Sequence, residues 1–493
     1  MSQLQFFEFL AKGILCLVTV VILVANSVNI YAKEFWEFLP DVKKSSLTSK
    51  YICVNSQTEL FFPESFKKRY FSTYFEFRKE LANLNNNCDQ VVSIYMKLLS
   101  PLDSGYSILK NPEAYVIKFS PQNIEILASS LQGLLYGLTY LEGLILKNKG
   151  RLQEGLIKNW PDLKVRALHI GNFWSVIEVK DWIKKARFAH FNILVLSLGK
   201  INTNFSALKA FKSEKRKFTI DWFLKIKETI SLQDLIDIVE YAKQNGLEFV
   251  PEIKFLTHQD RFIADIYPEF LFNRLTYDPQ KEELYIEVVF PLLDSIIDLV
   301  HPKVIHIGHD EVARRGRSFS RLKLKPWEVS LPAFLFLKDV LTIRNYLSHK
   351  GVSVWMWADM LFSPEELPSM KKNHLHGMSD YPKLKIMLPK DIVMCDWHYF
   401  DNSKQFLSSL LLANEGFKVI GVTWYEKYTI KSFSKYIAQL PHNGLGMMAT
   451  TWKGALRKRY KKDVHSSGLE LMVQQVIDQI IQQSGNQFWN VNN

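Results

Sequence analysis

The feature that most constrains the fold is a regular alternation of short apolar runs and longer amphipathic segments, which begins after Pro161. Eight of the runs have the length and composition of buried strands, and they are Val165–Gly171, Asn192–Leu198, Leu247–Ile253, Val304–Gly308, Val352–Trp357, Ile392–Trp397, Val419–Trp424 and Gly446–Trp452. Helical patterns separate them, for instance at Val179–Phe191, Leu232–Asn245, Tyr285–Val300, Pro332–Lys350 and Ser403–Glu415. Near-continuous apolar strands joined by crossover helices are typical of a parallel sheet covered on both faces. Eight such units over about 300 residues predict an α/β fold, a closed (β/α)8 TIM barrel, which we assign to residues 156–485.

The residues ahead of the barrel predict a small α+β domain over residues 33–155. Its strand and helix patterns lie at Tyr51–Val54, Phe66–Leu84, Val91–Leu98, Ala114–Phe119, Asn123–Leu127 and Ser129–Leu146. The last of these is helical and carries Gly133, Gly137 and Gly143, which thin one face and predict close packing there.

An N-terminal hydrophobic segment over residues 1–32 precedes both domains. Gly13 to Ala32 contains no charged residue, and Lys12 and Lys33 flank it. We interpret it as a signal peptide cleaved after Ala32 or as a membrane anchor, since the run is just long enough to span a bilayer. Both interpretations predict that the rest of the chain works outside the cytoplasm, whether periplasmic, secreted or membrane-anchored.

The cysteine content and the charge exclude several classes of function. Cys53 and Cys88 share the first domain, where they either pair in an oxidising compartment or stay as two buried thiols. No metal-ligand spacing is present, so we predict neither a metal site nor a cofactor. The net charge is +12, but its lysines and arginines are scattered and the one dense run, Arg457–Lys462, is short. A solvated surface therefore explains the charge better than nucleic-acid binding does.

The barrel fold predicts where a site lies, because such folds carry their active sites at the carboxyl ends of the strands. The residues at these ends or exits are His258, Asp310, Glu311, Trp357, Asp359, Trp397, Trp424, Tyr425 and Trp452. One tryptophan there would be explained by packing under the loops. Four that converge on one face predict an aromatic-walled pocket of the kind that stacks on the flat faces of sugars.

Two adjacent acids, Asp310 and Glu311, end the fourth strand. Neighbouring strand residues face opposite sides, so the chain must turn after Gly308 if both are to reach one substrate. Their shared negative charge is expected to raise the pKa of the more buried acid and keep it protonated for general-acid work. Two carboxylates beside stacked aromatic rings predict glycoside hydrolysis.

Several motifs together resemble glycoside hydrolase family 20, the β-N-acetylhexosaminidases, over about residues 110–455. The most specific is the family's His-x-Gly-x-Asp-Glu pattern, which stands here as His306-Ile-Gly-His-Asp-Glu311. Further matches are Tyr241–Ile253 followed by His258, Arg166 in the first strand, Tyr267–Phe270, and the Gly-x-x-Tyr-Gly-Leu pattern at Gly133–Leu138.

The resemblance implies a retaining exo-β-N-acetylhexosaminidase that acts on an amino-sugar glycan by substrate-assisted catalysis. Glu311 would be the general acid and base, and Asp310 would orient the acetamido group of the substrate, which itself attacks the anomeric carbon. The resemblance further implies that Arg166 grips the outer sugar hydroxyls and that Tyr425 bonds the acetamido oxygen. The remaining substrate-binding residues would be His258, Trp357, Trp397, Trp424 and Trp452.

Several positions depart from the family pattern, and three alternative functions stay open. His309 stands before the acid pair in place of a small residue, where it is expected to crowd or tune Glu311. The second strand exit ends at Lys200, where most members carry an aspartate that supports the histidine matched by His258. The alternatives are a non-catalytic carbohydrate-binding barrel, a conventional retaining glycosidase with two carboxylates, and a basic envelope scaffold that binds acidic polymers. The sequence does not decide between N-acetylglucosamine and N-acetylgalactosamine.

Overall fold

The computed structural model describes residues 33–84, 88, 91–100, 105–171, 175–199, 205–214, 218–226, 230–259, 263–315, 323–370, 374–440, 443–461 and 466–491. The hydrophobic segment at residues 13–32 and the departure at Lys200 lie outside these ranges. Within them, no helix combines the length and the apolarity that crossing a bilayer requires.

A six-stranded sheet forms the first part of the structure. Its strands are β1 (Lys44–Cys53), β2 (Leu60–Phe61), β3 (Ser93–Leu98), β4 (Tyr115–Phe119), β5 (Asn123–Ala128) and β6 (Arg151–Asn159), in the spatial order β1-β6-β4-β5-β3-β2. The helices of this region are Glu64–Arg69, Phe71–Ala82 and Leu131–Lys147. Gly137 lies so close to the sheet that an added Cβ would come within 2.5 Å of a methyl group of Ile126, so the long helix needs a glycine here. Cys53 and Cys88 form a disulfide.

The predicted (β/α)8 barrel is confirmed. Its strands are β7 (Val165–Ile170), β8 (Ile193–Ser197), β9 (Glu248–Phe255), β12 (Val304–Gly308), β13 (Ser353–Trp357), β14 (Val393–Trp397), β15 (Val419–Thr423) and β16 (Gly444–Thr450). A small hairpin of β10 (Leu271–Asn273) and β11 (Thr276–Tyr277) lies in the crossover after β9. All neighbouring barrel strands are parallel, and the pairing of β16 with β7 closes the ring.

Helices cover the outside of the barrel in each crossover. Their bounds are Val176–Phe188, Phe205–Glu214, Ile220–Ile226, Leu232–Gln244, Ile263–Ile266, Glu282–Leu284, Phe290–Val300, Ala333–His349, Leu384–Met387, Leu407–Asn414, Lys427–Gln439, Lys453–Tyr460 and Ser466–Trp489. One turn of π-helix, Tyr285–Val289, precedes Phe290–Val300.

Alternation along the strands decides which side chains reach the barrel interior. The interior cluster contains Val165, Ala167, Val195, Val250, Trp355, Trp357, Val393, Cys395, Ile420, Val422 and Met448. Residues of the other parity, such as Leu168 and Leu194, pack against the surrounding helices. Towards the carboxyl ends of the strands the interior becomes polar, because His169, Glu252 and His306 are fully buried there. This polar layer is the floor on which the candidate site is built.

Candidate active site

A sharp turn at the end of β12 presents the two adjacent acids. Gly308, His309 and Glu311 have φ angles of 75°, 70° and 55°, all in the left-handed region. A Cβ on Gly308 would lie 2.9 Å from the Cα of Lys254, so glycine is required at this position. The turn predicted after Gly308 is therefore present. Left-handed conformations in non-glycine residues are strained and concentrate at functional sites.

Both carboxylates face one histidine. His258 Nε2 lies 3.3 Å from Asp310 Oδ2 and 3.8 Å from Glu311 Oε2. His258 reaches them from the loop after β9, where it too adopts a positive φ, of 59°. The turn thus brings side chains that are adjacent in sequence to a common point at the barrel mouth.

A lysine that the sequence analysis did not select completes this cluster. Lys254 Nζ lies 3.3 Å from the same Asp310 Oδ2 that His258 contacts. Burial alone would raise the pKa of Asp310, but the positive charge of Lys254 and the contact with His258 hold it well below its ordinary value. Asp310 Oδ1 is also buried, and within the described residues it has no hydrogen-bond partner.

The expectation that the more buried acid stays protonated is therefore wrong. The side chain of Asp310 is 12 % exposed and that of Glu311 is 25 % exposed, so Asp310 is the more buried of the two. It is nevertheless ionised, because the Lys254 ammonium and His258 face its carboxylate. The sequence does indicate the position of Lys254, because side chains alternate between the two faces of a strand. Lys254 stands two residues after Glu252 and four after Val250, so it lies on the same interior face of β9.

The backbone of Glu311 is held by the neighbouring crossover. Its N–H donates a 3.0 Å hydrogen bond to Asp359 Oδ2. Asp359 is itself fixed by His376, whose Nδ1 lies 2.7 Å from the same oxygen. Both of these supporting side chains are buried, whereas Glu311 stays partly exposed at the barrel mouth.

Aromatic rings form a continuous wall beside the acids. The rings of Trp357 and Trp452 lie 6.4 Å apart, and Lys254 Nζ lies 5.2 Å above the Trp452 ring. The indole N–H of Trp452 donates to the hydroxyl of Tyr399 at 2.9 Å, and Tyr399 stacks on Trp397 at 5.0 Å. The structure therefore brings together the three tryptophans predicted to box the substrate, and it adds Tyr399, which lies beyond the end of β14.

Trp424 and Tyr425 lie at the back of this wall. Trp424 is buried behind Tyr399, and its indole N–H donates to the carbonyl of Thr451 at 3.2 Å. The ring of Tyr425 packs on Trp424 at 4.5 Å. The Tyr425 hydroxyl is buried without a hydrogen-bond partner among the described residues, so it is available as a donor.

A buried carboxylate organises the floor of the site. Glu252 accepts a 3.0 Å hydrogen bond from the indole N–H of Trp357, and His169 Nε2 lies 2.8 Å from its other oxygen. Burial alone would raise the pKa of Glu252, but His169 and Lys254 hold it far below its ordinary value. Burial also lowers the pKa of the neighbouring His306 to about 4, which keeps that imidazole neutral at physiological pH.

His309 does not crowd Glu311, contrary to the expectation from sequence. The turn sends its side chain outward, where Nε2 lies 2.7 Å from Asp339 Oδ2 on the helix Ala333–His349. Nδ1 lies 3.0 Å from the carbonyl oxygen of Ile307, and the imidazole is fully buried. His309 thus anchors the turn to the outer helix from behind.

The predicted role of Arg166 in gripping sugar hydroxyls is wrong. Arg166 is the second residue of β7, so it lies at the opposite end of the barrel from the acids. Its neighbours Val165 and Ala167 face the barrel interior, so the side chain of Arg166 faces outward. All five of its N–H groups are used by acceptors in the core, which are both oxygens of Glu113, the carbonyls of Leu163 and His190, and the hydroxyl of Tyr136. Its guanidinium also lies 5.1 Å from the Trp489 ring. Arg166 joins the barrel to the helix Leu131–Lys147 and to Glu113, just before β4.

Comparison with known proteins gives one family. The sequence pattern described as "Glycosyl hydrolase family 20, catalytic domain" matches residues 172–465. A beta-hexosaminidase of Akkermansia muciniphila is 21% identical over 319 residues, which are 55% of this chain and 64% of that protein. The chain thus matches less than two thirds of the length of that relative.

Solved structures that share the fold include two β-N-acetylhexosaminidases. The β-N-acetylhexosaminidase of Bacteroides fragilis aligns with a TM-score of 0.61 at 16% identity, over 92% of this chain and 91% of that one. The corresponding family 20 enzyme of Streptomyces coelicolor A3(2) aligns with a TM-score of 0.62 at 16% identity, over 91% of both chains. At such identities the likeness shows a shared fold.

Proposed function

This chain belongs to glycosyl hydrolase family 20, and we propose that it is a retaining exo-β-N-acetylhexosaminidase that removes terminal N-acetylhexosamine from glycans by substrate-assisted catalysis. The observation that carries the proposal is the state of Asp310. This carboxylate is ionised, held through Oδ2 by Lys254 and His258, and has Oδ1 buried without a partner among the described residues. An ionised, buried acceptor of this kind is complementary to the N–H of a substrate acetamido group.

Asp310 would act by orienting the acetamido group and stabilising its charge. When the acetamido oxygen attacks the anomeric carbon, a positive charge develops on the cyclised intermediate. A fixed carboxylate beside the acetamido nitrogen stabilises that charge without reorganisation, which is how preorganised groups lower a barrier. Because Lys254 and His258 hold the pKa of Asp310 low, its carboxylate would also be a weaker covalent nucleophile.

Glu311 would be the general acid and base. It is the more exposed of the two acids, and the bond from its backbone N–H to Asp359 fixes where its side chain begins. It would protonate the departing glycosidic oxygen and then take a proton from the water that opens the cyclised intermediate. The flat faces of Trp357, Trp397 and Trp452 would enclose the acetamido methyl group and the sugar ring, and the Tyr425 hydroxyl would donate to the acetamido oxygen.

The chain would act outside the cytoplasm, with residues 13–32 as its export signal or its attachment to a membrane. The disulfide between Cys53 and Cys88 supports this location, because such bonds persist in oxidising compartments. Cell fractionation followed by N-terminal sequencing of the recovered chain distinguishes cleavage from anchoring, and recovery in the cytosolic fraction with free thiols would contradict both.

The decisive experiment measures release of a chromophore from an aryl N-acetyl-β-glucosaminide and from its galactosaminide counterpart. Replacement Glu311→Gln is expected to lower kcat by at least about a hundredfold, as loss of a general acid does. Glu283→Gln, at an exposed glutamate on an outer helix, is the matched control and should leave the rate unchanged. Equal rates for wild type and Glu311→Gln would favour the non-catalytic carbohydrate-binding barrel.

A second measurement separates the proposed mechanism from that of a conventional retaining glycosidase. A thiazoline mimic of the cyclised acetamide should inhibit the wild type tightly, because it resembles the intermediate. Covalent labelling of a carboxylate by a fluoro-sugar would instead identify an enzyme nucleophile and contradict substrate assistance.

A further inference from the structure

Behind the Trp397 ring lies a group of three side chains that we call the rear cluster, composed of His374, His398 and Asp401. One ligand-capable atom of each lies within 4.8 Å of the others. The three side chains are buried, with residue exposures of 3%, 0% and 7%. His374 comes from the middle of the crossover between β13 and β14, and His398 and Asp401 come from the chain just beyond β14, so the fold rather than local sequence assembles the cluster.

His374 is the member of the rear cluster whose hydrogen bonding is incomplete among the described residues. Both of its ring nitrogens are buried, and neither has a hydrogen-bond partner among the described residues. Its ring touches those of His398 and Trp397, at centroid distances of 4.8 and 5.0 Å. Buried polar groups in folded proteins nearly always have a partner, and one without it points to an ion or a water molecule at that position.

His398 has the environment of a metal-binding histidine. Its Nε2 lies 3.0 Å from Ser408 Oγ and 3.5 Å from Asp396 Oδ2. Asp396 is fixed in turn by hydrogen bonds from the hydroxyls of Ser408 and Ser409, at 2.7 and 2.6 Å. A metal-binding histidine typically directs its other ring nitrogen to such a carboxylate. This arrangement leaves Nδ1 of His398 directed at Asp401, whose Oδ2 lies 3.3 Å away.

We propose that His374, His398 and Asp401 bind one divalent transition-metal ion, with Zn²⁺ favoured by two imidazoles and one carboxylate. The charges balance, because the two carboxylates of Asp396 and Asp401 match the charge of the ion. Two ligand atoms of a tetrahedral zinc ion lie about 3.4 Å apart, so binding draws the rear cluster closer together. Three protein atoms leave one position of the tetrahedron, which a water molecule would occupy as the fourth ligand.

The proposed ion would position the proposed general acid. His376 follows His374 by two residues and holds Asp359, which accepts the backbone N–H of Glu311. An ion bound at His374 therefore fixes the segment on which that chain of contacts depends. It would also fix Trp397 from behind. This second role rests on the proposed function, whereas metal binding itself does not.

The test is the metal content of the protein, purified without a histidine tag. The wild type is expected to hold about one equivalent of zinc per chain, to lose it on dialysis against a chelator with a fall in Tm, and to recover both when zinc is returned. Cobalt in place of zinc should give visible absorption bands typical of tetrahedral coordination. A wild type that binds neither ion, with a Tm that the chelator leaves unchanged, would overturn the proposal.

Two kinds of variant locate the ion. His374→Phe, which fills the space beside Trp397, and Asp401→Asn, which preserves shape, should each abolish the bound equivalent. His258→Asn changes the other group with suitable spacing among the described residues, His258 with Asp310 and Glu311, and should retain it. Loss of the ion in His258→Asn alone would place it at the acids and overturn the proposal. If a variant fails to fold, the cobalt spectrum of the wild type still shows whether the ion is bound in tetrahedral coordination. None of these measurements depends on hydrolytic activity.

Discussion

Lys254 Nζ and Asp310 Oδ2 lie 3.3 Å apart at the mouth of the barrel, and this pair sets the charge of the candidate site. The lysine comes from β9 and the aspartate from the turn after β12, which are neighbouring strands in the ring. The cation holds the pKa of Asp310 low and occupies one carboxylate oxygen, which leaves the other for a substrate.

Removal of this cation should change the pH dependence of activity. In Lys254→Met the pKa of Asp310 rises, so the carboxylate is protonated at a higher pH and the acidic limb of the kcat/KM profile moves upward. A shift of about one pH unit or more is expected for the loss of an adjacent opposite charge. Lys338→Met, at an exposed lysine on an outer helix, is the matched control. An unchanged acidic limb in Lys254→Met would show that Lys254 does not lower the pKa of Asp310.

Asp310→Asn should affect only substrates that carry an acetamido group. We expect kcat to fall by about a hundredfold or more on an aryl N-acetyl-β-glucosaminide, because a neutral amide stabilises the developing charge poorly. The same replacement should make little difference on the corresponding aryl glucoside, whose slow hydrolysis has no acetamido group to orient. Equal losses on the two substrates would assign Asp310 a role other than orientation of the acetamido group.

Glu252 should stabilise the fold in a pH-dependent way. Its folded pKa is depressed, so its contribution is present above the unfolded pKa of about 4.3 and is lost as the pH falls towards the folded pKa. Glu252→Gln should lower the free energy of unfolding by about 3 kcal/mol at pH 7, as breaking a buried ionic group does. Denaturant titrations at pH 7 and at about pH 3.5 measure this difference, which should shrink at the lower pH. A deficit that stays constant with pH would mean that the charge of Glu252 contributes nothing.

Arg166→Met should destabilise the protein without weakening substrate binding. Arg166 uses all five N–H groups, so its loss leaves the largely buried carboxylate of Glu113 without its cation. We expect the free energy of unfolding to fall by about 3–5 kcal/mol, with KM unchanged for the molecules that remain folded. Glu113→Gln removes the opposite partner and should act in the same direction. A raised KM with an unchanged Tm would restore the role in sugar binding.

The barrel and the location of the site were accessible from the sequence because both depend on local patterns. Buried strands need continuous apolar runs, and all eight runs became barrel strands. The rule that parallel barrels are active at their strand ends then selected Asp310, Glu311 and the three tryptophans. These predictions needed only the apolar or polar character of residues that are close together in the sequence.

The errors came from contacts between strands that are distant in the sequence. Asp310 has a like charge beside it in Glu311, but Lys254 reaches it from another strand and lowers its pKa. Arg166 was placed by its motif, although its position at the start of β7 and its outward parity exclude the barrel mouth. Tyr399 and His376 lie in loops, where no periodic pattern indicates which way a side chain points.

The bond from the Glu311 N–H to Asp359 has a consequence for evolution and engineering. The loop that carries the acids and the loop after β13 share a contact, which His376 secures from farther along the second loop. A grafted or lengthened version of either loop would therefore disturb the other, and exchanges between relatives should succeed when both segments are transferred as one unit.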